Sequence, residues 1–262
     1  DTNHLVADTL NCSPELAQPL TELIDRKTKG NPFFTTQFLK ALYEDGYIRF
    51  DRDRRYWECD IAQINALALT DDVVEFMALQ LQKLPLETQQ VLKLAACVGN
   101  QFDLTTLAIV SERSSTDAAT ALWKALQEGL ILPTSQVYKF FQDAEQSESQ
   151  NTINPAYRFL HDRVQQAAYS LIPVEQRQKT HLKIGQLLLQ STPSDALATN
   201  LFEIVNHLNQ GVGLIESIDE TIELVHLNLL AGRKAKASIA YANALNYLNA
   251  GLSLLTQESW RD

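Results

Sequence analysis

The residues most capable of chemistry lie between 157 and 173, in the run YRFLHDRVQQAAYSLIP. Tyr157 and Phe159 alternate about Arg158 as a half-buried β-strand does. Val164, Ala167, Ala168 and Leu171 then recur at helical spacing, and Pro173 stops the helix. His161 and Asp162 therefore stand at a strand-to-helix joint, with Asp162 expected as the N-cap. An imidazole beside the free N–H groups of a helix start can meet an anion such as a nucleotide phosphate. The same two residues also serve a purely structural corner, capping and hydrogen-bonding the turn.

Other catalytic chemistry is sparse. No G-x-x-x-x-G-K-[ST] phosphate loop occurs, and no apolar strand ends in paired carboxylates. Gly30, Gly46, Gly99 and Gly129 are scattered at turns and helix ends instead of clustering to cradle phosphate. His4, His161, His181, His207 and His226 show no H-E-x-x-H spacing and no neighbouring cysteine, so no metal site is expected. His181, His207 and His226 are read as helix-surface or satisfied packing residues. No G-x-S-x-G elbow is present. Cys12, Cys59 and Cys97 are odd in number and far apart, which suits reduced thiols in a cytoplasm. The expectation is a chain without catalytic residues of its own.

The elements that would carry these residues fall into three units. In 1–69, a helix over 14–29 places Leu16, Leu20, Leu23 and Ile24 on one face, with Ser13 as N-cap and Gly30 at its end. Pro32 opens a second helix, with Phe34, Phe38, Leu39 and Leu42 inward, and a hairpin follows over 47–58 around Asp51-Arg52-Asp53. In 70–173, helices to Leu84, over 87–97, 104–110 and 116–128 precede the strand GLILP, a second strand QVYKFF, a polar loop over 142–154 and the strand leading to His161. The region 174–262 reads as all helix, over 175–190, 196–209, 219–230 and beyond Lys234. Alanines interleaved with Tyr241, Tyr247 and Leu248 there suit stacked helical hairpins.

Hydrophobic content of 45% and charged content of 21% are ordinary for a globular chain, and no apolar run reaches the roughly 20 residues needed to span a bilayer. The net charge of −10 opposes binding to phosphate backbones. The helix over 116–128, TDAATALWKALQE, carries only Lys124 against Asp117 and Glu128, a poor surface for DNA.

Three motifs in order carry a resemblance over essentially the whole chain: KGNPFF at 29–34, the histidine-aspartate corner at 161–162, and LLAGRKAKASIAYANALNYLNAGLSLL from Leu229. Together they resemble the lid, winged helix and start of the helical repeats of STAND signalling ATPases, relatives of AAA+ proteins. The match is to the ATPase region of large bacterial kinases, in which a Ser/Thr kinase precedes the ATPase and GAF and histidine-kinase domains follow. The resemblance implies a mainly α architecture: a helical lid with a β-hairpin, a winged-helix domain, then a tetratricopeptide-like region. It implies that His161 contacts the phosphates of bound ADP, that Asp162 orients it, and that Pro32 borders the adenine, with Asn31 beside it as a further nucleotide-sensing candidate. ATP or ADP with Mg would be held by the parent protein, not by this chain. The implied partners are an upstream nucleotide-binding domain, flanking kinase and sensor domains, and proteins docking on the helical region, with neither DNA nor membrane. Two other readings stand beside it: a nucleotide-independent protein-interaction module, and a DNA-binding winged-helix regulator.

Overall fold

In a computed structural model, described over residues 2–66, 72–134 and 154–255, the chain is mainly helical, with short strands between the helices. It divides into two compact units, Asp1–Leu84 and Pro85–Asp262. The helix before Leu84, read from sequence with the second unit, clusters with the first.

The first unit contains α1 (Thr2–Leu10), α2 (Pro14–Thr28), α3 (Pro32–Glu44), the hairpin β1 (Ile48–Asp51) and β2 (Tyr56–Cys59), α4 (Ile61–Ala66) and α5 (Val73–Gln82). Its core joins Val6, Leu20, Ile24, Phe38, Leu42, Ile64, Met77 and Leu81. One expected core residue is displaced: Leu16 is 75% exposed. The buried face of α2 is centred on Ala17, Leu20, Ile24 and Thr28, and Leu16 lies roughly 100° round the helix from it. Lys29 ends α2 in the left-handed region, with Gly30 following at φ 72°, so the stop falls one residue before the expected glycine. The hairpin pairs Ile48 with Cys59 and Asp51 with Tyr56. Asp51 holds its tip by accepting from the Asp53 and Arg54 amides at 2.8 and 2.9 Å.

The second unit opens with α6 (Leu86–Val98), β3 (Gln101–Asp103), α7 (Leu104–Ser111) and α8 (Ser115–Gln127). It continues with β4 (Ile131–Pro133), β5 (Ala156–Phe159) and α9 (Asp162–Ser170). The three strands form an antiparallel sheet in the order β3-β5-β4, with Phe102 opposite Tyr157 and Ile131 opposite Phe159. β3 escapes sequence reading because it is three residues long with one apolar side chain, Phe102. Its pairing with β5 makes β5 the central strand, where Tyr157 and Phe159 pack against Phe102, while β3 lies against α6 and α7, β4 against α8 and β5 against α9. The expected strand over 136–141 and the loop over 142–153 lie outside the described residues.

The unit ends in α10 (Val174–Ser191), α11 (Leu197–Gln210), a 3-10 turn (Val212–Leu214), α12 (Ile218–Ala237) and α13 (Tyr241–Leu254). α12 is longer than expected, running on through the break expected between Leu230 and Lys234, and Gly232 inside it lets the side chain of Leu248 come close. A Cβ at Gly232 would lie 2.7 Å from Leu248 Cγ, and one at Gly185 would lie 2.7 Å from Leu208 Cδ2. Gly211 is tightest, because its Cβ would fall 2.5 Å from Leu182 Cβ and 2.9 Å from the Gln178 carbonyl. Glycine is required there by closeness of approach, since its φ of −101° suits any residue. Gly211→Ala should therefore overpack the α10–α11 contact and cost about 1–3 kcal/mol. Urea denaturation measures this, and an unchanged midpoint would mean that the two helices separate without penalty.

Candidate functional site

The corner after β5 forms because an extended, fully paired strand must give way to a helix within two residues. His161, not Asp162, is the N-cap: its backbone is extended (φ −147°, ψ 144°) and its Nδ1 accepts from the Arg163 amide at 3.1 Å. The imidazole reaches the free amide from one residue earlier, leaving Asp162 in the first turn. There its negative charge still favours the helix start. The Asp162 carboxylate accepts from Asn100 Nδ2 at 2.9 Å, tying the corner to the loop after α6. Because Nδ1 accepts, a neutral His161 ring carries its proton on Nε2 and is a hydrogen-bond donor at that atom. His161 is half-buried and Asp162 exposed.

In the other unit, Asn31 caps α3 by accepting from the amides of Phe33 and Phe34 at 3.0 and 3.3 Å. Pro32 is the first helical residue, where its missing N–H costs nothing, and it is exposed. Phe34 is core, whereas Phe33 is half-buried and meets Phe34 edge-on at 5.1 Å. His161 and Asp162 thus form one local group and Asn31 and Pro32 another, each in its own unit. Trp57 packs edge-on against Tyr43 and Phe50 at 5.8 and 5.3 Å, as a hairpin residue does.

A polar cluster that spacing could not disclose lies between α9, α10 and α11. His181 and His207 are each 4% exposed, their rings stack at 5.0 Å, and their Nδ1 atoms share a hydrogen bond of 2.8 Å. His181 Nε2 meets the Tyr169 hydroxyl at 3.1 Å. The two histidines are 26 positions apart and on different helices, so only packing joins them. Burial pushes the His181 pKa down. Burial, then the neighbouring His181 ring, pushes that of His207 down to about 4. Of the read histidines, His226 is exposed on α12.

The remaining groups offer little reactivity. Burial pushes the Cys97 thiol up to about 12 and raises that of Cys59, opposite to what a thiolate nucleophile needs. Among the described residues no cluster of three or more His, Cys, Asp or Glu side chains is placed to hold a metal ion. No helix among them is long and apolar enough to cross a membrane. On α8, Lys124 is paired with Glu128 at 2.7 Å.

No family model matches the chain. Over 98% of its length it is similar to Hybrid signal transduction histidine kinase G of Dictyostelium discoideum, at 33% identity across 291 aligned residues. It is also similar, again over 98% of its length, to Peroxide stress-activated histidine kinase mak3 of Schizosaccharomyces pombe, at 22% identity across 263 residues. The chain spans only 8% and 10% of the length of these two relatives. Segments similar to this whole chain therefore lie within two much longer histidine kinases.

The buried histidine pair couples folding to pH. An unfolded histidine titrates near 6.5, whereas folded His207 titrates near 4, so between these values the unfolded chain binds the extra proton. This contribution is complete above about pH 6.5 and is lost as pH falls towards 4, by roughly 3 kcal/mol at most. The shared Nδ1 hydrogen bond acts in the same direction, because it cannot survive protonation of both rings. The slope of unfolding free energy against pH should be shallower in His207→Gln than in the unsubstituted chain across that window. Parallel curves would show that the pair is not linked to folding.

Proposed function

We propose that this chain is the regulatory, non-catalytic part of a STAND-type signalling ATPase, within a larger cytoplasmic kinase that carries the nucleotide-binding half upstream. Its role is to couple nucleotide state to effector or sensor domains in a signal-transduction pathway. The observation that carries this reading is the β5–His161–α9 corner, where an imidazole caps the first turn of a helix by accepting from the Arg163 amide. Similarity to segments of two long histidine kinases supports a place in signalling. The succession α6, α7, α8 and a small antiparallel sheet supports the winged-helix reading, and the packed pairs α10–α11 and α12–α13 support the tetratricopeptide-like one.

In this mechanism the upstream domain would hold ADP with Mg, and His161 would donate a hydrogen bond to its phosphate. Asp162, fixed by Asn100, steadies the corner, while Pro32 would border the base, with Asn31 beside it as a further nucleotide-sensing candidate. Exchange for ATP biases the same two-state element the other way. A hydrogen bond to an ionised phosphate contributes roughly 1.5–3 kcal/mol, or about tenfold to a hundredfold in affinity.

A second reading, a protein-interaction module without nucleotide, draws on α13, where Tyr241, Leu245 and Leu252 are each more than half exposed. A DNA-binding role fits poorly with the engaged Lys124 and the net charge of −10.

The deciding experiment is ADP affinity of the longer natural protein that includes the upstream nucleotide domain, compared with its His161→Ala and His161→Asn forms. Asparagine restores a cap without the Nε2 donor. A loss of tenfold or more in both forms is expected. Loss in the alanine form alone would reduce His161 to a capping residue, unchanged affinity in both would remove it from nucleotide sensing, and no ADP binding by the unsubstituted protein would leave the interaction module.

A further inference from the structure

A cleft of about 600 Å³ opens between α6, α7 and α10 in the second unit, apart from the His161 corner and lined by neither His161 nor Asp162. Its apolar wall includes Leu94 and the buried Ile172. Its charged residues are Lys93 from α6, Lys179 and Lys183 from successive turns of α10, and Glu112 from the end of α7. Three ammonium groups against one carboxylate leave a charge of +2 in a chain whose net charge is −10. Lys183 is paired with Glu112. Lys93 and Lys179 have no carboxylate partner among the described residues.

We propose that this cleft binds a small amphipathic phosphate ester, its apolar body against Leu94 and Ile172 and its phosphate between Lys93 and Lys179. A mostly apolar concavity of several hundred Å³ with a few convergent polar groups is the usual form of a small-molecule site. Unpaired ammonium groups above a low-dielectric wall concentrate the field that draws an anion in. Lysine, a compact point charge with three donors, suits phosphate without demanding bidentate geometry. Size decides against a peptide helix: one about 10 Å across would fill this volume with only about five residues. None of these features depends on a nucleotide-switching role for the chain.

The test is calorimetric titration of the chain with 1-naphthyl phosphate, with inorganic phosphate and 1-naphthol as separate probes. Saturable binding of naphthyl phosphate is expected, at least tenfold tighter than either half-probe and weakening as salt rises. The Lys93→Gln/Lys179→Gln form should lose at least tenfold in affinity for it. A circular dichroism spectrum and melting temperature equal to those of the unsubstituted chain establish that this form is folded. If it is not, the single substitutions Lys93→Gln and Lys179→Gln carry the same expectation at threefold or more each. Several results would overturn the proposal: no saturable binding, naphthol binding as tightly as the ester, inorganic phosphate binding as tightly as the ester, or affinity unmoved in folded lysine variants.

Discussion

The pairing of β5 on both of its edges is the constraint on which the first half of the second unit depends. Its backbone binds four separate places: Phe159 donates to the Asn100 carbonyl, Leu160 to that of Leu130, and the Pro155 and Ala156 carbonyls accept from Leu104 and Thr134. The end of α6, the start of α7 and the segment after α8 are thereby held to one strand. Tyr157 and Phe159 turn to the same face and are buried there against Phe102. A strand so fixed leaves His161 no freedom of position, and the Asp162–Asn100 and Gln165–Ala96 hydrogen bonds fix α9 against α6 from the other side. The corner is thus held in one geometry by hydrogen bonds from both sides.

The helical half obeys a different rule, closeness of approach. Glycines at 185, 211, 232 and 251 sit where a neighbouring helix leaves no room for a side chain, or almost none. Close approach also buries polar groups, and these are paired internally. Asn228, fully buried, donates to Asn209 and to the Leu224 carbonyl, and Asn209 donates back to it, each at 2.9–3.0 Å. The Tyr169–His181–His207 chain does the same between α9, α10 and α11. Among the described residues no buried side-chain nitrogen or oxygen lacks a partner. Such networks raise the cost of a wrong helix pairing, because each misplaced partner leaves a desolvated polar group.

Charge is distributed to match. The acidic surplus lies on exposed faces, and Lys124 on α8 is engaged by Glu128. Two unpaired lysines collect at a concave, apolar surface instead. The lysine-lined cleft and the His161 corner are separate places in the second unit.

The helices and their approximate ends were legible in the amino-acid order, because apolar spacing, prolines and capping residues act within one or two turns. Asn31-Pro32 opening α3, the hairpin around Asp51, and the strand-to-helix change at 161 are all local decisions. So is the absence of a phosphate loop. What local order could not disclose depended on pairing at a distance. β3 exists because β5 offers it an edge, Leu16 is exposed because the face of α2 is set by what packs on Ala17, and the cap passed to His161 because the strand delivered its ring to the Arg163 amide. The His181–His207 contact and the cleft lined by both Lys93 and Lys179 join helices far apart in sequence. Their chemistry arises only when packing removes water from one pair and leaves the other open to it, and that is decided by tertiary structure alone.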